Sequence, residues 1–340
     1  MILKNTCFAT QILAYALFLN TICCFGSVGE SDNKTPFCKS YISSTLDKEN
    51  LIQEDTTPQL LLRQLLQLLD IEHGSTVQAI NCAMQAHCIR KPGLERWDLG
   101  SLEQAKDTAT KNKILQTIRQ LGFVDAIPPT TVDVDYFLLF GARFQKMETR
   151  FEDFVQQYKA GTLRCNTIVL LGGIRSLPLQ EVDFIRQKYP EFDSFLTRIN
   201  TKSTELTETE LWHFIWEIHA TDAMKNEYQE GKQNLCFVHA TDTNQSQNNR
   251  VTTNTTLEAW LSVYQPQGGK VHANVEKPYG IRMEKNLRCC LKQYCLASDE
   301  VLQFHISWNS SHADENTLLT VYMDEIARAF YQECVLKELL

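Results

Sequence analysis

After Pro129 the chain alternates between short apolar runs and amphipathic segments, and this alternation restricts its fold more than any other feature. The runs are VDYFLLFG (134–141), TIVLLGG (167–173), LCFVHA (235–240), GKVHANV (269–275) and VLQFHISW (301–308). Helical patterns fall at 144–159, 178–199, 207–229, 255–264 and 281–296, and a last one spans Ala313 to Leu339. A strand covered on both faces reads as a nearly continuous apolar run, and parallel neighbours need a long crossover, usually a helix. The expected fold class is therefore α/β: a doubly wound, mainly parallel five-stranded sheet of Rossmann-like type over 131–340.

A helical section is expected ahead of it, at 57–130. TPQLLLRQLLQLLDIEHG carries Pro58 near a helix start and Gly74 just past its end. STVQAINCAMQAHCI and SLEQAKDTATKNKILQTIRQLGF continue the pattern until Pro128 and Pro129 break it. The leucine stripe is expected to pack on neighbouring helices or on the following domain; a protein partner is the alternative. Residues 30–56 are polar and read as a tether. Residues 1–29 read as a secretory signal peptide: Lys4 is the only charge before Glu30, Thr6 to Phe25 is almost wholly apolar, and Gly26, Ser27 and Gly29 follow. An uncleaved membrane anchor is the alternative, since the apolar run approaches the ~20 residues of a spanning helix; Gln11 and Asn20 weigh against it. The expected location is periplasmic or secreted, with membrane contact only through this segment.

The 33 basic and 41 acidic side chains leave a net charge of −8. That balance argues against nucleic-acid binding, which needs clustered Lys and Arg to neutralise phosphates. Asp324, Glu325 and Glu333 in the last helix read as a solvated face. Of twelve cysteines, Cys7, Cys23 and Cys24 lie in the export segment. Export permits disulfides, and Cys82 with Cys88, or Cys289 or Cys290 with Cys295, are candidates by proximity. Cys165 and Cys236 read as buried free thiols.

In an open parallel sheet, ligands collect at the carboxyl ends of the strands. Those ends carry Gly141-Ala142-Arg143, Gly172-Gly173 with Arg175 and Ser176, His239, and the stretch EKPYGIR. Glycine lets a backbone N–H approach an anion, and Arg143, Arg175 and Arg282 are placed to hold one bidentately. The standard dinucleotide, P-loop and nucleophile-elbow fingerprints are all missing. His239 and His272 read as satisfied core histidines, and WHFIWEIH as core packing.

The order of these motifs resembles the YdcF/SanA/ElyC-like group of bacterial Rossmann-type proteins, often membrane-anchored or exported. YFLLFGARFQKMETR is similar to that family's opening strand, glycine and arginine-bearing helix, and TIVLLGG to its strand ending in a glycine pair. LTETELW supplies a Thr-Glu at a helix start, through Thr207-Glu208 or Thr209-Glu210. TLEA (256–259) stands for its T-x-E-N and YGIR (279–282) for its H-x-x-R, with Ala259 and Tyr279 replacing the asparagine and the histidine. The resemblance covers residues 134–300.

It implies a small-molecule site for S-adenosylmethionine or another nucleotide-like ligand, and a role in cell-envelope physiology. Gly141, Gly172 and Gly173 would approach the ligand through backbone amides. Arg143 and Arg282 would hold an anionic group, and Thr256 would offer a hydroxyl. Glu208 or Glu210 would serve as acid/base or sugar-binding carboxylate, with Tyr279 a further catalytic candidate. The replaced histidine and asparagine, with the added helical section, support a second expectation: a non-catalytic exported interaction or virulence-associated factor.

Overall fold

All five apolar runs become parallel strands. A computed structural model describes residues 43–44, 57–90, 105–175, 177–241, 251–297, 302–314 and 316–337. The expectations for segments 1–29 and 30–56 lie outside these residues, apart from Ser43 and Ser44. In chain order the elements are β1 (Ser43–Ser44), α1 (Thr57–Leu68), α2 (Val77–His87), α3 (Thr108–Gln120), β2 (Val132–Phe140), α4 (Phe144–Lys159), β3 (Leu163–Gly173), α5 (Leu179–Lys188), α6 (Phe192–Arg198), α7 (Glu208–His219), α8 (Asp222–Gln229), β4 (Asn234–Ala240), α9 (Thr253–Tyr264), β5 (Gly269–Glu276), α10 (Gly280–Ala297), β6 (Phe304–Ser311) and α11 (Leu319–Leu336).

The strand order is β1-β6-β5-β2-β3-β4, and every neighbouring pair is parallel. Beyond the two-residue edge strand β1, which adds a sixth strand to the five expected, the chain starts the sheet at its middle with β2, builds outward through β3 and β4, then returns to lay β5 and β6 on the other side. This is the doubly wound, Rossmann-like arrangement, with its switch point between β2 and β5. Those two strands are in register from Tyr136–Val271 to Leu139–Asn274.

Strand side chains alternate between two cores, as a period of two requires. Leu138, Phe140, Val169 and Leu171 face α9, α10 and α11, packing with Trp260, Leu287 and Phe330. Phe137, Leu139, Ile168 and Leu170 face α4 and α7, packing with Phe144, Phe151, Trp212 and Phe214. WHFIWEIH is thus core packing: Trp212 is fully buried and its indole N–H donates to Leu171 O at 3.1 Å. Leu62, Leu65 and Leu66 are fully buried in the first core, together with Ile114 and Ile118 of α3. Gln85 of α2 donates to Ala327 O of α11 at 3.0 Å.

Two long helices expected from the sequence are each broken in two. Pro190 separates α5 from α6, because proline cannot supply a helical N–H and its ring disfavours the α conformation of the residue before it. Thr221 separates α7 from α8 by capping the latter, its hydroxyl accepting from Met224 N at 3.2 Å. Strand β6 runs three residues later than the apolar pattern suggested. Its polar end pairs because Asn309 bonds His272 and the Ser310 hydroxyl accepts from Ile127 N.

The acidic residues of α11 are not a solvated face. Asp324, Glu325 and Glu333 are 1%, 0% and 5% exposed. They meet Arg328 at 3.0 Å, Arg282, and Lys285 at 2.8 Å. The helix is covered on several sides, and periodicity alone does not reveal charges that arrive with partners.

The proposed cysteine pairs are not formed either: the eight described cysteines are all free thiols. Residues five or six apart along a helix or its cap lie about 9–10 Å from each other, beyond disulfide reach. Burial pushes the Cys88, Cys165 and Cys334 thiols up to about 12, whereas Cys82 is exposed. In the native protein, maleimide is expected to modify the Cys82 peptide at least tenfold faster than the Cys165, Cys290 or Cys334 peptides, read by mass spectrometry. Among the described residues no helix is long and apolar enough to cross a membrane.

Candidate functional site

The carboxyl ends of β2, β3 and β5 bring a set of charged groups together around Glu208. LTETELW is what places that carboxylate. Thr207 caps α7, and Glu210 closes the capping box by accepting from Thr207 N at 2.9 Å. Residues two apart on a helix point about 200° apart, so Glu210 belongs to the cap while Glu208 turns toward the sheet. A Cβ on Gly141 would overlap Glu208 Oε2, so only glycine lets the end of β2 lie against this carboxylate.

Glu208 Oε1 lies 3.8 Å from Arg175 Nη1, and the nearby Gly173 N–H also favours the ionised carboxylate. Burial raises its pKa to about 7, against the opposing pull of Arg175, Gly173 N–H and Arg150. A carboxyl titrating near neutrality at a strand end can both give and take a proton at physiological pH.

A second cluster adjoins it at the switch point. Arg150 of α4 is 4% exposed; its Nη1 donates to Phe140 O at 2.6 Å, and its Nη2 lies 3.6 Å from Glu276 Oε1. Lys146 binds the same Glu276 oxygen at 2.6 Å and lies 5.4 Å above the Tyr279 ring. Arg150 therefore ties the end of β2 to the end of β5 while sensing Glu208 and Tyr279. At the head of α4, Phe144 N donates to Glu181, so a carboxylate from α5 complements that helix terminus.

The residues singled out from the sequence divide into two groups. Gly141, Glu208 and Arg175 meet at one cluster, and Tyr279 lies at the neighbouring one with Lys146. Arg143 sits exposed at the α4 N-cap. Gly172 and Gly173 are packing glycines: a Cβ on Gly172 would stand 2.9 Å from the Thr209 backbone, and one on Gly173 would stand 2.8 Å from Val251. Thr256 is buried and its hydroxyl returns to Thr253 O of its own helix at 2.9 Å. Arg282 engages Glu325 of α11. His272 is buried and bonded through both ring nitrogens, as read, whereas His239 is exposed and touches the Thr209 hydroxyl at 3.1 Å.

Arg150, Lys146, Glu181 and Glu276 were not singled out. A signal for two of them was present, since Arg143, Lys146 and Arg150 recur at helical spacing on one stripe. Away from these two clusters, Glu148, Glu152 and His219 bring carboxylate and imidazole atoms close enough to share an ion. Glu148 is already held by Lys188 at 2.6 Å, His219 at 3.1 Å and the Tyr189 hydroxyl, which makes this a structural ion-pair network. No known family model, curated protein or solved structure matches the chain.

Proposed function

We propose that this chain is an exported bacterial protein that binds a small polar molecule at the carboxyl ends of β2 and β3, beside the β2–β5 switch point, with Glu208 as its acid/base group and a role in cell-envelope physiology. The observation that carries the reading is the meeting of Gly141, Gly173 and Arg175 around the half-buried Glu208 carboxyl. The export and envelope parts rest on the N-terminal pattern and on the motif order shared with the YdcF/SanA/ElyC-like group. Arg175 and Lys146 suit an anionic substituent. A side chain at Gly172 would meet Thr209 and one at Gly173 would meet Val251, so the end of β3 requires glycine at both positions.

The reading as a partner-binding scaffold has weaker support, since Leu62, Leu65 and Leu66 are spent on the protein's own core. Thermal-shift measurements with S-adenosylmethionine, ADP and inorganic phosphate test the proposal. At least one is expected to raise the melting temperature of the wild type saturably, and the gain should vanish in Gly141→Ala, whose Cβ displaces Glu208. Equal stabilisation of both proteins, or of neither, would overturn it.

A further inference from the structure

The sheet face shared with α4 turns polar at β5 and β6. Helices α10 and α11 pack on the opposite face, while His272, Asn274, Ser307 and Asn309 line this one. Register places His272 directly opposite Ser307, and Asn274 opposite Asn309. His272 Nδ1 lies 2.8 Å from Ser307 Oγ, and its Nε2 lies 2.9 Å from Asn309 Oδ1. The Phe137 ring stacks on the imidazole, 5.5 Å between centroids and 18° between planes. With the Asn309 carbonyl as acceptor, Nε2 carries the ring proton and Nδ1 is a free lone pair. The Ser307 O–H must then donate to Nδ1. Burial holds the imidazole below its ordinary range, which keeps it neutral and able to accept.

A hydroxyl directed onto a neutral imidazole, whose far N–H is held by a third group, has the elements of an activated nucleophile. His272 is 2% exposed and locked by stacking, whereas Ser307 is half-buried. The base is thus shielded and the nucleophile reachable. All three side chains stand on adjacent strands, so their spacing follows from backbone register.

We infer that Ser307, His272 and Asn309 form a second reactive site, at which the Ser307 hydroxyl is acylated by activated esters. Ser307 Oγ bonds to the acyl carbon as its proton moves to His272 Nδ1. The bond to the leaving group then breaks, and the leaving group takes that proton. Asn309 is a positioning residue that holds the required tautomer. The site is independent of the Glu208 cluster and does not rest on its reading.

A fluorophosphonate probe reports such a serine directly, since a P–O bond to Oγ forms as fluoride departs. Incubating the full chain with the probe and mapping adducts by mass spectrometry is expected to place one adduct on the Ser307 peptide, lost in Ser307→Ala and in heat-unfolded protein. His272→Gln should slow labelling at least 100-fold, within the range of about 10²–10⁴ that a positioned base supplies. Asn309→Asp keeps the acceptor and should keep labelling, while Asn309→Leu should slow it about tenfold. A simple polar ladder, bonded only to satisfy its own buried groups, would not react. No adduct at Ser307 in folded wild type, or an unchanged rate in His272→Gln, overturns the inference. If His272→Gln does not fold, equal rates in the two Asn309 variants overturn it.

Discussion

Arg282→Met is expected to destabilise the protein by about 3–5 kcal/mol, the cost of withdrawing one partner from a buried ion pair. The Arg282 side chain is 12% exposed and that of Glu325 fully buried, so the guanidinium compensates a carboxylate that water does not reach. The urea midpoint should fall by more than about 1 M, for a slope of about 1–3 kcal/mol per molar. Arg282→Met combined with Glu325→Leu should recover most of the loss, because an apolar pair of similar volume replaces two desolvated charges. This outcome separates two roles for one residue. The motif order assigned Arg282 to an anionic ligand, whereas its contact with α11 assigns it to the core. A stability loss below about 1 kcal/mol, together with weaker ligand binding, would return it to the site.

Glu208→Gln is expected to act in the opposite direction on stability. The carboxyl ionises near 4.5 when unperturbed and near 7 in the fold. Between those values the unfolded chain releases its proton while the folded protein holds it. Stability therefore falls as pH rises through this window and levels off above 7. Glutamine carries no such penalty. At pH 8 the variant should be more stable by on the order of 3 kcal/mol, and at pH 5 by less than about 1 kcal/mol. Urea titrations at the two pH values check this. A gain that does not change with pH would place the origin elsewhere than in ionisation. Stabilisation accompanied by loss of ligand response would mark Glu208 as a group kept for function at a cost to the fold.

Much of the architecture was legible because a doubly wound sheet writes itself into local pattern. Apolar runs such as TIVLLGG, buried on both faces, announce central strands, and the amphipathic stretch at 144–159 matches α4 to the residue. The errors fell where polar residues carry structure. VLQFHISW pointed to a strand ending at Trp308, yet β6 continues through Asn309, Ser310 and Ser311, whose partners lie on other strands and loops. KYPEF held a visible helix break at Pro190 that the longer period obscured.

The candidate site divides along the same line. Gly141 and Glu208 were named from motif order, and local chemistry explains both: glycine for close approach, and a Thr-Glu helix start that aims one carboxylate at the sheet. Arg150 and Glu276 stand 126 residues apart, and nothing in either neighbourhood signals the other. Only the pairing of β2 with β5 makes them neighbours.

The amino-acid sequence by itself determined the elements, their alternation and hence the sheet class, because hydrophobic period and turn residues act over a few positions. The tertiary structure alone decided which charges are buried, which glycine lies against Glu208 rather than Thr209 or Val251, and which histidine meets a serine. Those properties depend on desolvation and on contacts between distant segments, and both arise only when the sheet and its two helical layers come together.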